Sequence, residues 1–231
     1  VKTWIDIPAV PINAFKTLDL SCAPISEIKT VFMTSGTSFG SVRGKSYHPV
    51  LDVYDASMRR NFQKRFMGDL ERIQMGVLFP PPTIMPNSSL AHYLNLAVGD
   101  FGLQNSRFFV GARGIEFSDL FDDLARAEKS GEPYALLGAS FSFVHVIDEM
   151  ARRGETFKLP LGSRILDTGG FKGQSRELEA DEFYGSLEAA FGVARSQCIN
   201  MYGMTELSSQ FYDKGNAVCP SIKYGPHWLR T

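Results

Sequence analysis

The chain is poor in cysteine, in net charge and in long apolar runs, and each shortage closes off a class of function. Its 231 residues include three cysteines, Cys22, Cys198 and Cys219. Odd in number and far apart, they imply neither a disulfide framework nor a zinc site. A balance of 24 basic and 25 acidic side chains leaves a net charge of -1. That argues against a nucleic-acid or anionic-membrane surface, since either asks for a basic excess. The basic residues that do cluster, Arg59, Arg60, Lys64 and Arg65, read as a solvated helix face. No apolar run approaches the ~20 residues of a membrane span, and the opening residues lack the apolar stretch of a secretory leader. The expected setting is cytoplasmic, with no nucleic-acid partner and no membrane span.

What is present is a hydrophobic content of 44%, enough for one large domain or two small ones. Val1–Lys16, rich in proline and aromatics, reads as an extended, packed segment. Strands are expected at Val31–Thr34, Met75–Phe79, Arg107–Val110, Tyr134–Leu137, Ser163–Thr168 and Gln197–Met201. Between them Ser118 is expected to cap a helix placing Phe117, Leu120, Phe121 and Leu124 along one side. Further helices are expected from Ser142 to Arg153 and from Asp181 to Phe191. Alternation of apolar strands with amphipathic helices predicts an α/β fold of mostly parallel β-sheets flanked by helices in layers. Ligands of such folds gather at the carboxyl ends of strands.

Two stretches at strand ends carry the chemistry. Thr34-Ser35-Gly36-Thr37-Ser38-Phe39-Gly40-Ser41-Val42-Arg43-Gly44 packs hydroxyls, glycines and a cation into one loop. Glycines let backbone N–H groups turn inward, hydroxyls add donors and Arg43 adds charge, so the loop can wrap a phosphate chain. Tyr202-Gly203-Met204-Thr205-Glu206 offers a ring to stack a base, a hydroxyl for a phosphate and a carboxylate for Mg2+. Taken alone, the first reads equally well as a Ser/Gly-rich surface turn. Taken together and in this order, the two point to a nucleotide-using enzyme.

Other readings fail on register. Gly44-Lys45-Ser46 suggests a Walker loop, but the required earlier glycine falls on Phe39. Gly138-Ala139-Ser140-Phe141-Ser142 sits between a strand and a helix like a nucleophile elbow, yet Ser142 stands where the second glycine belongs. His145 reads as a structural histidine, and Cys198 as a small core residue. Cys219 is the expected exposed thiol.

Thr34–Gly44 resembles the phosphate-binding loop of the adenylate-forming superfamily, which reads Thr-Ser-Gly-Thr-Thr-Gly-x-Pro-Lys-Gly. Here Phe39 is inserted, Val42 replaces proline and Arg43 replaces lysine. Tyr202–Glu206 matches that superfamily's Tyr-Gly-x-Thr-Glu in full. Asp167-Thr168-Gly169-Gly170-Phe171-Lys172-Gly173 resembles the segment against which adenine lies. The longer runs Asp167–Glu177 and Met204–Tyr212 are similar to acyl-protein synthetases of bacterial bioluminescence, relatives of phenylacetate-CoA ligases.

The resemblance implies the large N-terminal adenylation domain over residues 1–231, trimmed at both ends and without the mobile C-terminal lid. It implies ATP and Mg2+ as cofactors, a carboxylic acid (a fatty acid first) as substrate, and a thiol of a protein cysteine or CoA as acceptor. An acyl reductase is the implied partner. Thr34, Ser35, Gly36, Thr37, Ser38 and Gly40 would hold the β,γ-phosphates with Arg43 as counter-charge. Gly169, Gly170 and Phe171 would line the adenine, Tyr202 would stack on it, and Gly203 and Met204 would complete that wall. Thr205 would bond the α-phosphate and Glu206 the Mg2+. Ser140 and Phe141 are the implied acyl-pocket residues. Two competing readings remain: a ligase of the phenylacetate-CoA type, and a fragment that binds nucleotide or a partner without completing the reaction.

Overall fold

Every residue from Tyr134 to Ala139 is buried, the mark of a strand covered on both faces. The computed structural model describes residues 2–34, 42–171, 173–213 and 222–229. Its helices in chain order are α1 (Ala14–Thr17), α2 (Asp52–Phe62), α3 (Ser89–Phe101), α4 (Phe117–Ser130), α5 (Ser140–Arg153) and α6 (Ala180–Phe191). The strands are β1 (Thr30–Met33), β2 (Lys45–His48), β3 (Gln74–Leu78), β4 (Arg107–Phe108), β5 (Val110–Gly111), β6 (Gly114–Ile115), β7 (Tyr134–Ala139), β8 (Arg164–Thr168), β9 (Cys198–Tyr202) and β10 (Phe211–Tyr212). Six of them form one sheet in the order β10-β9-β8-β7-β3-β4. All neighbours run parallel except β10, which pairs antiparallel with β9.

Alternation along β7 sorts its side chains into two layers. Tyr134 and Leu136 join Leu120, Leu124, Phe143, Val146 and Leu187 from α4, α5 and α6. Ala135, Leu137 and Ala139 join Met58, Phe62, Leu94 and Ala97 from α2 and α3. Burying an aromatic or aliphatic side chain of this size contributes roughly 1.5–3 kcal/mol, so the two layers hold the sheet from both sides. Helix ends are set by local chemistry. Ser88 accepts from the Ala91 amide at the start of α3, and α4, α5 and α6 stop at Gly131, Gly154 and Gly192, each left-handed, where a side chain would be strained.

Several expectations need correction. In the opening segment, expected to be packed, Ile5, Ile7, Val10 and Ile12 are all at least half exposed, and only Ala14 and Phe15 among its described side chains are half-buried. The helix expected after Ser118 begins two residues earlier, at Phe117, and Glu116 precedes it without a side-chain cap. Arg107–Val110 is two strands, because the chain turns at buried Phe109 and Val110 pairs with Ile115 in a separate hairpin. Of the basic cluster, Arg59, Arg60 and Lys64 are exposed, but Arg65 is half-buried with its guanidinium over the Tyr224 ring.

The most consequential difference concerns β1. It lies outside the six-stranded sheet and pairs antiparallel with β2, Thr30 opposite His48 and Met33 opposite Lys45. The glycine-rich segment therefore joins two hairpin strands instead of leading from a parallel strand into a helix. Lys45–His48 lacks the apolar period of a helix, so the chain returns along its own strand.

Candidate functional site

Beyond the carboxyl ends of β7, β8 and β9 the structure opens into a cleft of about 1340 Å³, the place where parallel sheets present ligands. Thr34 and Arg43, at the two ends of the hairpin connection, border it. So do Gly169 and Gly170 after β8, and Gly203, Met204, Thr205 and Glu206 after β9. The neck of the hairpin connection is clasped, since the Thr34 amide donates to the Gly44 carbonyl (3.0 Å) and the Gly44 amide to Thr34 Oγ1 (2.9 Å). A Cβ on Gly44 would stand 3.3 Å from Glu206 Oε1. The two ends of the loop and the Thr-Glu pair thus meet in one cleft.

Ser35, Gly36, Thr37, Ser38 and Gly40 lie outside the described residues, as do Lys172 and Cys219. Tyr202 is 48% exposed, with its ring 6.2 Å from that of Phe211, and it does not border the cleft. Phe171 also stands off it and packs edge-on against Phe183 at 5.7 Å. Ser140 differs from expectation: it is buried, and its hydroxyl donates to Asp167 (2.9 Å) and the Thr168 carbonyl (3.2 Å). Helix periodicity explains this, because Ser140 faces the sheet while Phe141, Ser142 and His145 face the cleft. His145 is exposed and bonds the Gln174 carbonyl at 2.9 Å. Cys198 is a core residue whose thiol burial pushes well up.

Sequence reasoning passed over Asp167. This fully buried carboxylate accepts from Ser140, Tyr184 (3.0 Å) and Asn200 (2.7 Å). Burial pushes its carboxyl up to about 6, against the pull of those donors. Asn200 in turn receives Lys223 at 2.6 Å and donates its amide to Asp213 at 3.1 Å. The network pins the ends of β8 and β9 side by side, and Thr168 reinforces it by donating to the Met201 carbonyl at 2.8 Å. Gly169 and Gly203 leave from that joint. The available signal was an aspartate following Ile165 and Leu166 near the end of a strand, where a carboxylate rarely lies buried without partners.

The residues fit a magnesium nucleotide. Mg2+ is usually held by one or two carboxylates together with substrate phosphates and water, and half-buried Glu206 faces the cleft where such phosphates would lie. Arg43, exposed at the same mouth, can fork onto phosphate oxygens. No helix among the described residues is long and apolar enough to cross a membrane.

Comparison with known proteins agrees with this architecture. Residues 3–217 match the family model described as "Acyl-protein synthetase, LuxE". The long-chain-fatty-acid–luciferin-component ligase of Vibrio harveyi is 24% identical over 215 residues, 92% of this chain and 56% of the relative. The chain thus spans about half the length of that curated relative. The crystal structure of 2-hydroxyisobutyryl-CoA ligase in complex with 2-HIB-AMP and CoA superposes with a TM-score of 0.51 at 17% identity, over 84% of this chain and 37% of that one. This likeness shows the fold alone: the chain shares the architecture of part of that ligase. With residues 3–217 of its 231 matched by the family model, the chain belongs to the LuxE acyl-protein synthetase family.

Proposed function

We propose that the chain is the N-terminal adenylation domain of an acid–thiol ligase that activates a carboxylic acid, a fatty acid first, with ATP. The observation that carries this reading is the approach of Glu206 to Gly44, which sets a carboxylate beside the neck of the glycine-rich connection. In the proposed reaction an acid oxygen attacks the α-phosphorus, pyrophosphate leaves and an acyl-adenylate remains. A thiol sulfur then attacks the acyl carbon, expelling AMP and losing its proton. Such chemistry asks the protein mainly to position groups and neutralise charge.

In this reading Ser35, Gly36, Thr37, Ser38 and Gly40 cradle the β,γ-phosphates with Thr34, and Arg43 balances their charge. Thr205 hydrogen-bonds the α-phosphate. Glu206 would hold Mg2+, which supplies charge neutralisation on the phosphates when bound. Gly169 and Gly170, bordering the cleft, leave room for a flat base. Phe141, which borders the cleft, would line the acyl wall. The name of the Vibrio harveyi relative supports a long-chain fatty acid. CoA or a cysteine of a partner such as an acyl reductase is the proposed acceptor, and a cytoplasmic setting supplies the ATP.

The test is ATP–pyrophosphate exchange by the full-length protein across a panel of straight-chain and aromatic acids. Exchange dependent on both acid and Mg2+ is expected. No exchange with any acid would overturn the reading.

A further inference from the structure

A second cation stands beside the phosphate end of the cleft. The short helix α1 is held against β2, where the Tyr47 hydroxyl donates to Asp19 at 2.6 Å, and its Ala14 and Phe15 are half-buried. Ile12, just before that helix, borders the cleft. Lys16 follows at the spacing that puts two residues on one side of a helical turn. Its Cγ stands 3.7 Å from where a Cβ on Gly44 would be, and Glu206 Oε1 stands 3.3 Å from that same point. The lysine stem and the carboxylate therefore meet over one buried glycine, at the neck that Thr34 clasps. Lys16 is exposed, so rotation of its outer stem can carry the ammonium across the mouth where Arg43 also stands.

We infer that Lys16 is a further phosphate-binding residue, whose ammonium closes on the β,γ-phosphates of the bound nucleotide beside Glu206. This rests on the function proposed above and adds a residue to its phosphate site. A triphosphate keeps excess negative charge even with Mg2+ bound, and Glu206 adds a carboxylate to it. Arg43 is a single cation set against them. Charge gathers on the pyrophosphate as its bond to the α-phosphorus breaks, so a further cation there stabilises the departing group. Lysine suits that duty. Its ammonium is a compact charge with three donors on a flexible stem, able to follow a moving phosphate, whereas the arginine fork is planar and fixed. The partition of the side chain fits as well, since the stem packs along the neck while the head stays in water until phosphate arrives. A lysine that merely braced the neck would act through its stem; a phosphate ligand acts through its charge.

The experiment measures binding of ATP with Mg2+, and separately of AMP, to the full-length protein by calorimetry. Lys16→Met keeps most of the stem and removes the charge, and Lys16→Arg keeps the charge. Lys16→Met is expected to weaken ATP binding by about tenfold or more and to leave AMP binding unchanged, because AMP lacks both outer phosphates. Lys16→Arg should recover most of the affinity for ATP. Lys29→Met, at an exposed lysine just before β1, should change neither. Equal weakening of ATP and AMP makes Lys16 a brace for the neck and overturns the inference. Unchanged ATP binding in Lys16→Met, or an equal loss in Lys29→Met, overturns it too, and all three outcomes leave the ligase reading standing. Absence of ATP binding by the wild-type protein overturns the ligase reading, and the role of Lys16 with it.

Discussion

Gly44 and Glu206 face each other so closely that a single added methyl on the glycine would lie 3.3 Å from the carboxylate oxygen and 3.2 Å from Thr34 Cγ2. Gly44 is also buried, so the methyl could not swing outward. The absent side chain is what lets the hairpin neck and the acid share one cleft. Gly44→Ala is expected to shift the carboxylate by a few tenths of an ångström, lower exchange by about tenfold and leave the unfolding midpoint nearly unchanged. A loss of stability without a loss of exchange would contradict this.

Glu206→Ala should reduce acid-dependent exchange by about 100-fold or more and abolish the Mg2+ dependence of ATP binding in calorimetry. Glu132→Ala, on the exposed turn before β7, is the comparison and should change neither. Equal effects would remove Glu206 from the metal site.

Ser140 and Phe141 are neighbours in sequence with opposite duties. Ser140→Ala removes a donor from buried Asp167 and should cost about 1–3 kcal/mol of stability with no change in KM for the acid. Phe141→Ala, at the cleft wall, should raise KM for the acid several-fold. Urea unfolding and steady-state kinetics separate the two.

Asp167 predicts an unusual pH dependence. Its carboxyl is raised from 3.8 to about 6 in the folded protein, so between those values the native state holds more protons than the unfolded chain. Stability is then highest below about pH 4, falls by about 3 kcal/mol as pH rises through 6, and levels off above. Glu149, held down to about 2 by Arg152 and Arg153, acts with the opposite sign at lower pH, where its contribution is lost as pH falls. Comparing wild type with Asp167→Asn by urea unfolding from pH 4 to 7 isolates the Asp167 slope. Parallel curves would refute it.

Two glycines should respond to alanine with opposite signs. A Cβ on Gly138 would stand 2.8 Å from Leu78 Cβ and from its carbonyl oxygen, forcing β3 from β7. Gly138→Ala is expected to cost about 2–3 kcal/mol, or roughly 5–10 °C in Tm. Gly99, inside α3, meets nothing within 4 Å, and Gly99→Ala should add up to about 1 kcal/mol.

The parallel strands of the main sheet were readable because burial on both faces leaves continuous apolar runs such as Tyr134–Leu137, and α5 and α6 because one face repeats at helical spacing. Lys45–His48 and Phe211–Tyr212 escaped notice for the opposite reason. Each takes its strand state from a partner, β1 or β9, and carries little pattern of its own. The same limit applies to the site. Thr205 and Glu206 announced themselves by chemistry, whereas Asp167 and Lys16 acquire meaning only from what lies beside them.

The sequence by itself determined the layered α/β class, the positions of the main parallel strands along the chain and the residue types at their carboxyl ends. These follow from periodicity and side-chain chemistry, which act over a few neighbouring residues. Only the tertiary structure decided that the glycine-rich connection belongs to a separate hairpin, that its neck lies against Glu206, and that Ser140 turns to the core while Phe141 turns to the cleft. Those outcomes depend on contacts between residues far apart in the chain, and no local pattern specifies which distant surface a given face will meet.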